Sequence, residues 1–421
     1  MTSTELLEIF LRHPRISTDS RRIVPGSIFF ALHGASFDGN RFACDALAAG
    51  AALAVVDDPT LAAGHPEAAG RLILVEDTLR TLQELARAYR RRLGIPILAI
   101  TGSNGKTTTK ELVARVLEGK YRVYATRGNL NNHIGVPLTL LDMGPETQFG
   151  VVEMGASACG EIALLCSIAE PDYGIITNVG RAHLEGFGGP EGIRRGKGEL
   201  FDSLNARGGR AFVRLEDATL LAMAQERPTL AATRYPTASA DGMEHRLEGD
   251  YNRFNVAAAA AIGRHFGIDE ESIRRAIASY RPDNHRSQRV ETDRNTLVLD
   301  CYNANPSSME ASIRNFAAEP THPHKEKVLI LGDMLELGRW SDEEHRRIVA
   351  LAASIAGARL LLVGPHFAAA CARTSLPHAR TELFPSREEL SRALAQAPIR
   401  DALILIKGSH GIGLEQLTGL L

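Results

Sequence analysis

Residues 99–112 read AITGSNGKTTTKEL. An apolar run, IPILAITG, enters these glycines, and KTTTKELVARVLEG leaves them with helical spacing. A strand that runs into a glycine loop and then opens a helix aims backbone N–H groups and the helix dipole at one point, which suits an anion. Lys106 stands in reach of β- and γ-phosphates there, and the Thr107 hydroxyl in reach of a magnesium ion. The loop departs from the common G-x-x-x-x-G-K-[ST] pattern. That pattern places its first glycine at Ile100, whereas the glycine is Gly102, so this loop is two residues shorter.

Outward from the loop, FGVVEMG and YGIITNVG are two more apolar runs, each ending at a polar or acidic residue. Such runs are expected of parallel strands covered on both faces. Helical stretches separate them, so a doubly wound sheet is expected, with its site at the strand C-terminal ends. Upstream, to about Leu93, the short runs GSIFFAL, AALAVVDD and RLILVED mix with a helical TLQELARAYRRRL, which predicts a small α/β domain. From about His285, the strand candidates TLVLD, KVLILGD, RLLLVG and ALILIKG alternate with SSMEASIRNFAA, SDEEHRRIVALAASI and SREELSRALAQA. That alternation predicts a further parallel sheet. The stretch from Pro228 to Glu248 carries neither period. The expected architecture is α/β in three domains, 1–93, 94–284 and 285–421.

The chain has 421 residues, 44% hydrophobic and 23% charged, enough for several cores. A formal net charge of -2 leaves no electrostatic footprint for nucleic acid. No stretch approaches the ~20 apolar residues of a membrane helix. The opening MTSTELLEIFLRHPRIS lacks the basic segment and apolar run of a signal peptide. Cys44, Cys159, Cys166, Cys301 and Cys371 show neither CxxC pairing nor zinc-like spacing. They read as reduced thiols of a cytoplasmic protein.

Beyond the loop, several residues are candidates for chemistry. Glu153 closes GVVE; a carboxylate at the tip of a buried strand suits a magnesium ligand or a water-orienting role, and a surface acid or helix cap is the plainer account. His183, in NVGRAHLEGFG, reads either as a ligand or as a hydrogen-bonded structural residue. Lys197, in RRGKGELF, reads by itself as part of a solvated basic helix face. Asn252 and Asn255 stand at the start of an alanine-rich helix, where amides cap the helix or read an adenine edge. Arg286, in NHRSQ, lies at a domain junction where a guanidinium can clamp phosphate. Asp300 ends a strand in LDCYNANP, ahead of Tyr302, Asn303 and Asn305, where an acid takes a ribose hydroxyl in dinucleotide folds.

Taken together, the pieces resemble the Mur ligases, ATP-dependent amide-forming enzymes of peptidoglycan synthesis. TGSNGKTTTK is similar to the family's own short loop. GNLNNHIGVPLTLL, VVEMGAS, GIITNVGRAHLEGFG, KGELF, YNANPSSM, LGDMLELG and IKGS follow in the family's order. TDSRRIVPGSIFFALHGASFDGNRF resembles its UDP-substrate domain. The resemblance covers nearly the whole chain. It implies an N-terminal UDP-substrate-binding domain, a central P-loop ATPase-like domain and a Rossmann-like C-terminal ligase domain that closes over the site.

The cofactors implied are ATP and two magnesium ions. Gly102, Ser103, Asn104, Gly105, Lys106, Thr107 and Thr108 would bind the ATP phosphates, with Lys106 on the γ-phosphate. Thr107, Glu153, His183 and Lys197 would surround the metal ions, Lys197 as the family's carbamylated lysine. Arg194 and Arg195 beside it would lower its amine pKa by like-charge repulsion. Asn255, Arg286, Asp300 and Asn303 match nucleotide-contacting positions. Ser20 and Arg21 fall in the UDP-substrate segment, and Asn131 and Asn132 would face the muropeptide. The motifs resemble most the branch that joins D-Ala-D-Ala to UDP-N-acetylmuramoyl-tripeptide through an acyl phosphate. That branch implies a cytoplasmic enzyme, expected as a monomer, serving cell shape and division.

Three features depart from the family pattern. His410 stands where an arginine usually follows KGS, Leu299 and Cys301 flank Asp300 where two adjacent acids are common, and the stretch before EGDYN is short, which predicts a trimmed central sheet. The alternatives are another Mur ligase or a folylpolyglutamate-synthase-like ligase. A P-loop switch would call for a guanine-reading N-K-x-D, which the sequence lacks.

Overall fold

The computed structural model describes residues 2–34, 36–282, 288–320, 326–374 and 380–421. Three large sheets, each flanked by helices, follow one another along the chain, with a small antiparallel pair, His33–Gly34 and Phe37–Asp38, in the first block, in keeping with the expected α/β class. The central sheet has six parallel strands in the order Ala231–Tyr235, Arg210–Arg214, Tyr173–Ile176, Ile97–Thr101, Phe149–Glu153 and Val123–Ala125. Ile97–Thr101 is first in sequence yet interior in the sheet. The chain therefore winds to one side and then the other, and the glycine loop leaves at that switch point, where open α/β sheets bind ligands. Ile100 lies in register with Glu153 on one neighbour and Ile175 on the other. The loop, the acid and the segment after Ile176 therefore share one edge.

Successive side chains of these strands point to opposite faces, and each face has its own core. Leu98, Ile100, Val151 and Ile175 enter one, and Ile97, Ala99, Val152 and Ile176 the other. The short stretch before EGDYN still supplies a strand to the sheet. Ala231–Tyr235, inside the stretch without a period, pairs fully with Arg210–Arg214. It is a half-exposed edge strand, so it lacks the apolar run that marks a doubly covered one.

The first sheet has four parallel strands, Ile16–Ser17, Ile28–Phe30, Leu53–Val56 and Leu72–Leu74. Helix Thr78–Leu93 covers it, capped by the Asp77 side chain and ended by left-handed Gly94 (φ 64°). Its Leu82, Leu85, Ala86 and Tyr89 lie in the same core as Ile97, Val136, Leu140 and Leu165 of the central sheet and its helices. The first two blocks are thus packed together across position 93. The third sheet runs Gln288–Glu291, Thr296–Leu299, Ala402–Lys407, Glu326–Gly332, Arg359–Val363, Thr381–Phe384. All neighbours are parallel except Gln288–Glu291, which is antiparallel to Thr296–Leu299. That corrects the expected all-parallel sheet: the edge strand alternates in exposure and is polar, so an apolar-run criterion passes over it. The expected limit at 284/285 lies outside the described residues. Among the described residues no helix is long and apolar enough to cross a membrane.

Arg90 pins the first junction. It is 6% exposed and donates to the carbonyls of Ile95, Ala169 and Glu170 and to Asp172 Oδ2 at 2.7 Å. Arg90→Met leaves those acceptors without their donor, at an expected cost of about 2–4 kcal/mol. Urea denaturation should show it as a lower midpoint in a single transition, and an unchanged midpoint would refute the role.

Candidate active site

Two glycines shape the loop. Gly102 has φ 141°, and a Cβ there would stand 2.0 Å from Thr177 Oγ1. Gly105 has φ 78°, and its Cβ would meet Asn255 Oδ1 at 2.6 Å. A side chain at either position would force the backbone off its neighbours. Gly105 also starts helix Lys106–Leu117, and no side chain caps its N-terminus among the described residues, so its first N–H groups remain for a ligand. The loop is held from below. Asn104 O accepts from Thr177 Oγ1 at 2.6 Å and Asn178 Nδ2 at 2.9 Å. Ser103 N–H donates to Asn178 O at 3.0 Å and Ser103 Oγ to Gly180 O at 2.8 Å. Lys106 Nζ folds back onto the carbonyls of Gly102 and Ser103, at 2.7 and 3.2 Å.

The loop forms one wall of a cleft of about 1020 Å³. Ser103, Asn104, Gly105, Lys106, Thr108, Asn131, Asn132, Glu153, His183, Asn255, Asp300 and Asn303 all line it. Residues from the second and third sheets thus meet in one space. The lining does not include Gly102, Thr107 or Lys197. Ser20 and Arg21 lie apart in the turn Ser20–Arg22, where Arg21 is strongly exposed and donates to both oxygens of Asp19. Those bonds hold the Asp19 carboxyl down at about 2. Arg286 lies outside the described residues.

Glu153 is 1% exposed, which rules out a surface acid. Its Oε1 accepts from Asn131 Nδ2 at 2.9 Å, while Oε2 is buried with no partner among the described residues. A buried carboxylate oxygen without a donor is costly, and a hard cation would satisfy it. Among the described residues no three His, Cys, Asp or Glu side chains converge as a metal cage, so further oxygen ligands must come from elsewhere. Asn132 Oδ1 accepts the N–H groups of Ile134 and Gly135.

His183 occupies the left-handed region at φ 53°. Its Nδ1 meets Glu336 Oε2 of the third sheet's lobe. Burial moves its pKa down, against the pull of that carboxylate.

Lys197 is no part of a solvated face, for it is 1% exposed. Its amine donates to Ala156 O at 3.2 Å and lies 5.0 Å from the centre of the Phe187 ring. Burial first, then the charge of Lys106, lowers its pKa to about 7. Arg194 and Arg195 are not the cause. The first pairs with Glu226, and the second points at Cys159 Sγ. Asn252 and Asn255 do not cap their helix either. Tyr251 is the cap residue; Asn255 accepts from Thr109 Oγ1 at 3.1 Å and donates to Asn252 Oδ1 at 2.8 Å.

From the third sheet, Asp300 Oδ2 accepts from Lys407 Nζ at 2.6 Å and from Ser312 Oγ. Lys407 is 1% exposed and also lines the cleft. Sequence reasoning did not single it out, although a lysine closing the apolar strand ALILIK was the available signal. Asn305 caps helix Pro306–Ala318 with Oδ1 and donates from Nδ2 to Asn104 Oδ1 at 2.7 Å. Asn303 Oδ1 accepts the Ala304 N–H at 2.8 Å. His410 stacks on Tyr302, ring centres 5.9 Å apart.

Three family models match the chain in order. They are the Mur ligase family catalytic domain over residues 14–90, the Mur ligase middle domain over 100–252 and the Mur ligase glutamate ligase domain over 285–410. The chain belongs to the Mur ligase family. This Mur ligase is 35% identical over 425 residues to the UDP-N-acetylmuramoyl-tripeptide–D-alanyl-D-alanine ligase of Bacillus subtilis (strain 168), covering 96% of this chain and 92% of that one. It superposes on MurF from Acinetobacter baumannii with a TM-score of 0.84 at 29% identity, covering 96% and 92% of the two chains. Against MurF ligase from Thermotoga maritima in complex with ADP the TM-score is 0.82 at 26% identity, with 97% of each chain covered.

The Lys197 amine gives a pH signature. Its folded-state pKa of about 7 lies below the ordinary 10.5, so between those values the unfolded chain binds more protons. Stability then rises with pH through that window. In carbon-dioxide-free buffer, wild type should gain stability from pH 7 to 9 relative to Lys197→Met, as read by urea denaturation. Parallel curves would contradict it.

Proposed function

We propose that this Mur ligase uses ATP to join D-Ala-D-Ala to UDP-N-acetylmuramoyl-tripeptide. The observation that carries the reading is the single cleft where the phosphate loop, the orphaned oxygen of Glu153 and Asp300 face one another. The end-to-end likeness to a ligase of that specificity supports it. The tripeptide carboxylate attacks the γ-phosphorus and ADP leaves. The D-Ala-D-Ala amine then attacks the acyl phosphate carbon, and phosphate departs as the amide forms.

In this reading the loop from Gly102 to Thr108 cradles the phosphates. Lys106 swings from its own carbonyls onto the transferring group. Asn255, Asp300, Asn303 and Arg286 hold the nucleotide. Thr107, Glu153, His183 and a carbamate on Lys197 would hold two magnesium ions, which would supply positive charge to the phosphate oxygens, the main demand of phosphoryl transfer. The carbamate forms when the neutral Lys197 amine attacks carbon dioxide and gives its proton to solvent. A pKa of about 7 keeps much of that amine neutral at physiological pH. Asn131 and Asn132 face the muropeptide, and Ser20 and Arg21 serve the UDP end. We assign residues 1–93, 94–284 and 285–421 to UDP-substrate binding, ATP binding and ligation, in a cytoplasmic monomer.

Purified protein with UDP-muramoyl tripeptide, D-Ala-D-Ala and ATP should give the pentapeptide product by mass spectrometry, with one phosphate per amide. Lysine, diaminopimelate or glutamate should not replace the dipeptide. Lys106→Ala should fold normally yet keep less than a tenth of turnover, since such a contact is worth ~3 kcal/mol. Higher retained activity would sink the loop's role.

Lys197→Ala should lose most activity, and formate or acetate should restore part of it. A ¹³C-bicarbonate NMR signal should vanish in that variant. Full activity without the lysine would refute the carbamate.

A further inference from the structure

Lys110 is a buried cation that the proposed reaction leaves unused. It lies one helical turn after Lys106, in the helix that the phosphate loop opens, and is 1% exposed. A lysine amine held out of water is costly unless it is paired and hydrogen-bonded. Its amine donates to the Thr126 carbonyl at 2.6 Å and lies 2.8 Å from Glu111 Oε1. Glu111 reaches solvent, whereas Thr126 is 1% exposed. Thr126 stands just past strand Val123–Ala125, and its N–H donates to Val151 O at 3.0 Å. Its hydroxyl accepts the N–H of Glu153 at 3.0 Å. A continuous path therefore runs from the phosphate-loop helix, through Lys110 and Thr126, to the backbone of the acid whose Oε2 lacks a partner.

We infer that Lys110 is a positioning residue that fixes the spacing between the phosphate loop and Glu153, and so sets affinity for the metal–nucleotide pair rather than for nucleotide alone. The inference rests on reading Glu153 as a magnesium ligand. A metal-free nucleotide needs the loop, which Thr177, Asn178 and Gly180 hold without help from Lys110. A metal-bridged nucleotide needs the loop and Glu153 at one fixed separation. Without the amine, the Thr126 carbonyl loses its donor and the side-chain link from the helix to the Glu153 strand end is cut, leaving only the sheet pairing of Ile100 with Glu153 to set the spacing. Groups that hold metal ligands in place typically carry roughly 10–100-fold of metal affinity.

Titration calorimetry on the full chain tests this with ADP, in magnesium and in chelator. In Lys110→Met the affinity for magnesium–ADP should fall at least about tenfold, while metal-free ADP changes by less than about twofold. Thr126→Val keeps the carbonyl but removes the acceptor for Glu153, and should show the same split. Thr126→Ser should restore wild-type behaviour. If Lys110→Met does not fold, the Thr126 pair decides. Equal losses with and without magnesium, or no loss with it, would overturn the inference. A wild-type protein that binds ADP equally in both conditions would overturn the metal reading and this inference with it. The ligation assay is unaffected by either outcome and judges the overall reaction separately.

Discussion

The cleft depends on how closely the backbone at Gly102 approaches Thr177. That approach lets Thr177 and Asn178 take the Asn104 carbonyl, while Asn178 takes the N–H groups of Ser103 and Asn104, so the loop's backbone is held in one orientation. An anion site built from backbone dipoles works only if their orientation is fixed before the anion arrives. Here the fixing comes from the end of the adjacent strand Tyr173–Ile176, itself paired to Ile97–Thr101 through the sheet. The shortened loop and the segment 177–180 are one unit, joined by hydrogen bonds in both directions.

The charged groups around this unit are arranged by burial more than by pairing. Lys197 and Lys110 flank the site at 1% exposure, yet they meet different fates. Lys110 has a carboxylate and a carbonyl beside it. Lys197 has one carbonyl and an aromatic face, and burial makes its amine easier to deprotonate than an ordinary lysine's. Two buried lysines of one protein are thus set for different duties, one as a strut and one as a nucleophile towards carbon dioxide in the proposed chemistry.

What was legible in the sequence is what is locally encoded. Gly102, Gly105 and Lys106 mark a tight strand-to-helix turn because strand, turn and helix adjoin in the chain. Glu153 declares itself as the polar end of an apolar run. The parallel strands buried on both faces were legible for the same reason. The edge strands Ala231–Tyr235 and Gln288–Glu291 were not, since a strand with one open side needs no apolar run. Nor was the fate of Lys197, whose arginine neighbours suggested solvent while Phe187 and Ala156 cover it. Asn255 misled in the same way: its partner Thr109 comes from a helix 146 residues earlier. Side-chain environments made by distant segments leave no trace in local spacing.

The hydrogen bond from Asn305 to Asn104 has a consequence for traffic through the cleft. The capping residue of a third-lobe helix is fastened to the loop that would cradle phosphate. A nucleotide seated there would have protein on both sides. Parting of the two lobes would then bear on its residence time together with the strength of the phosphate contacts. A compound that bridged Asn104 and Asn305 more firmly than they bridge themselves would lengthen that residence without competing for the phosphate cradle.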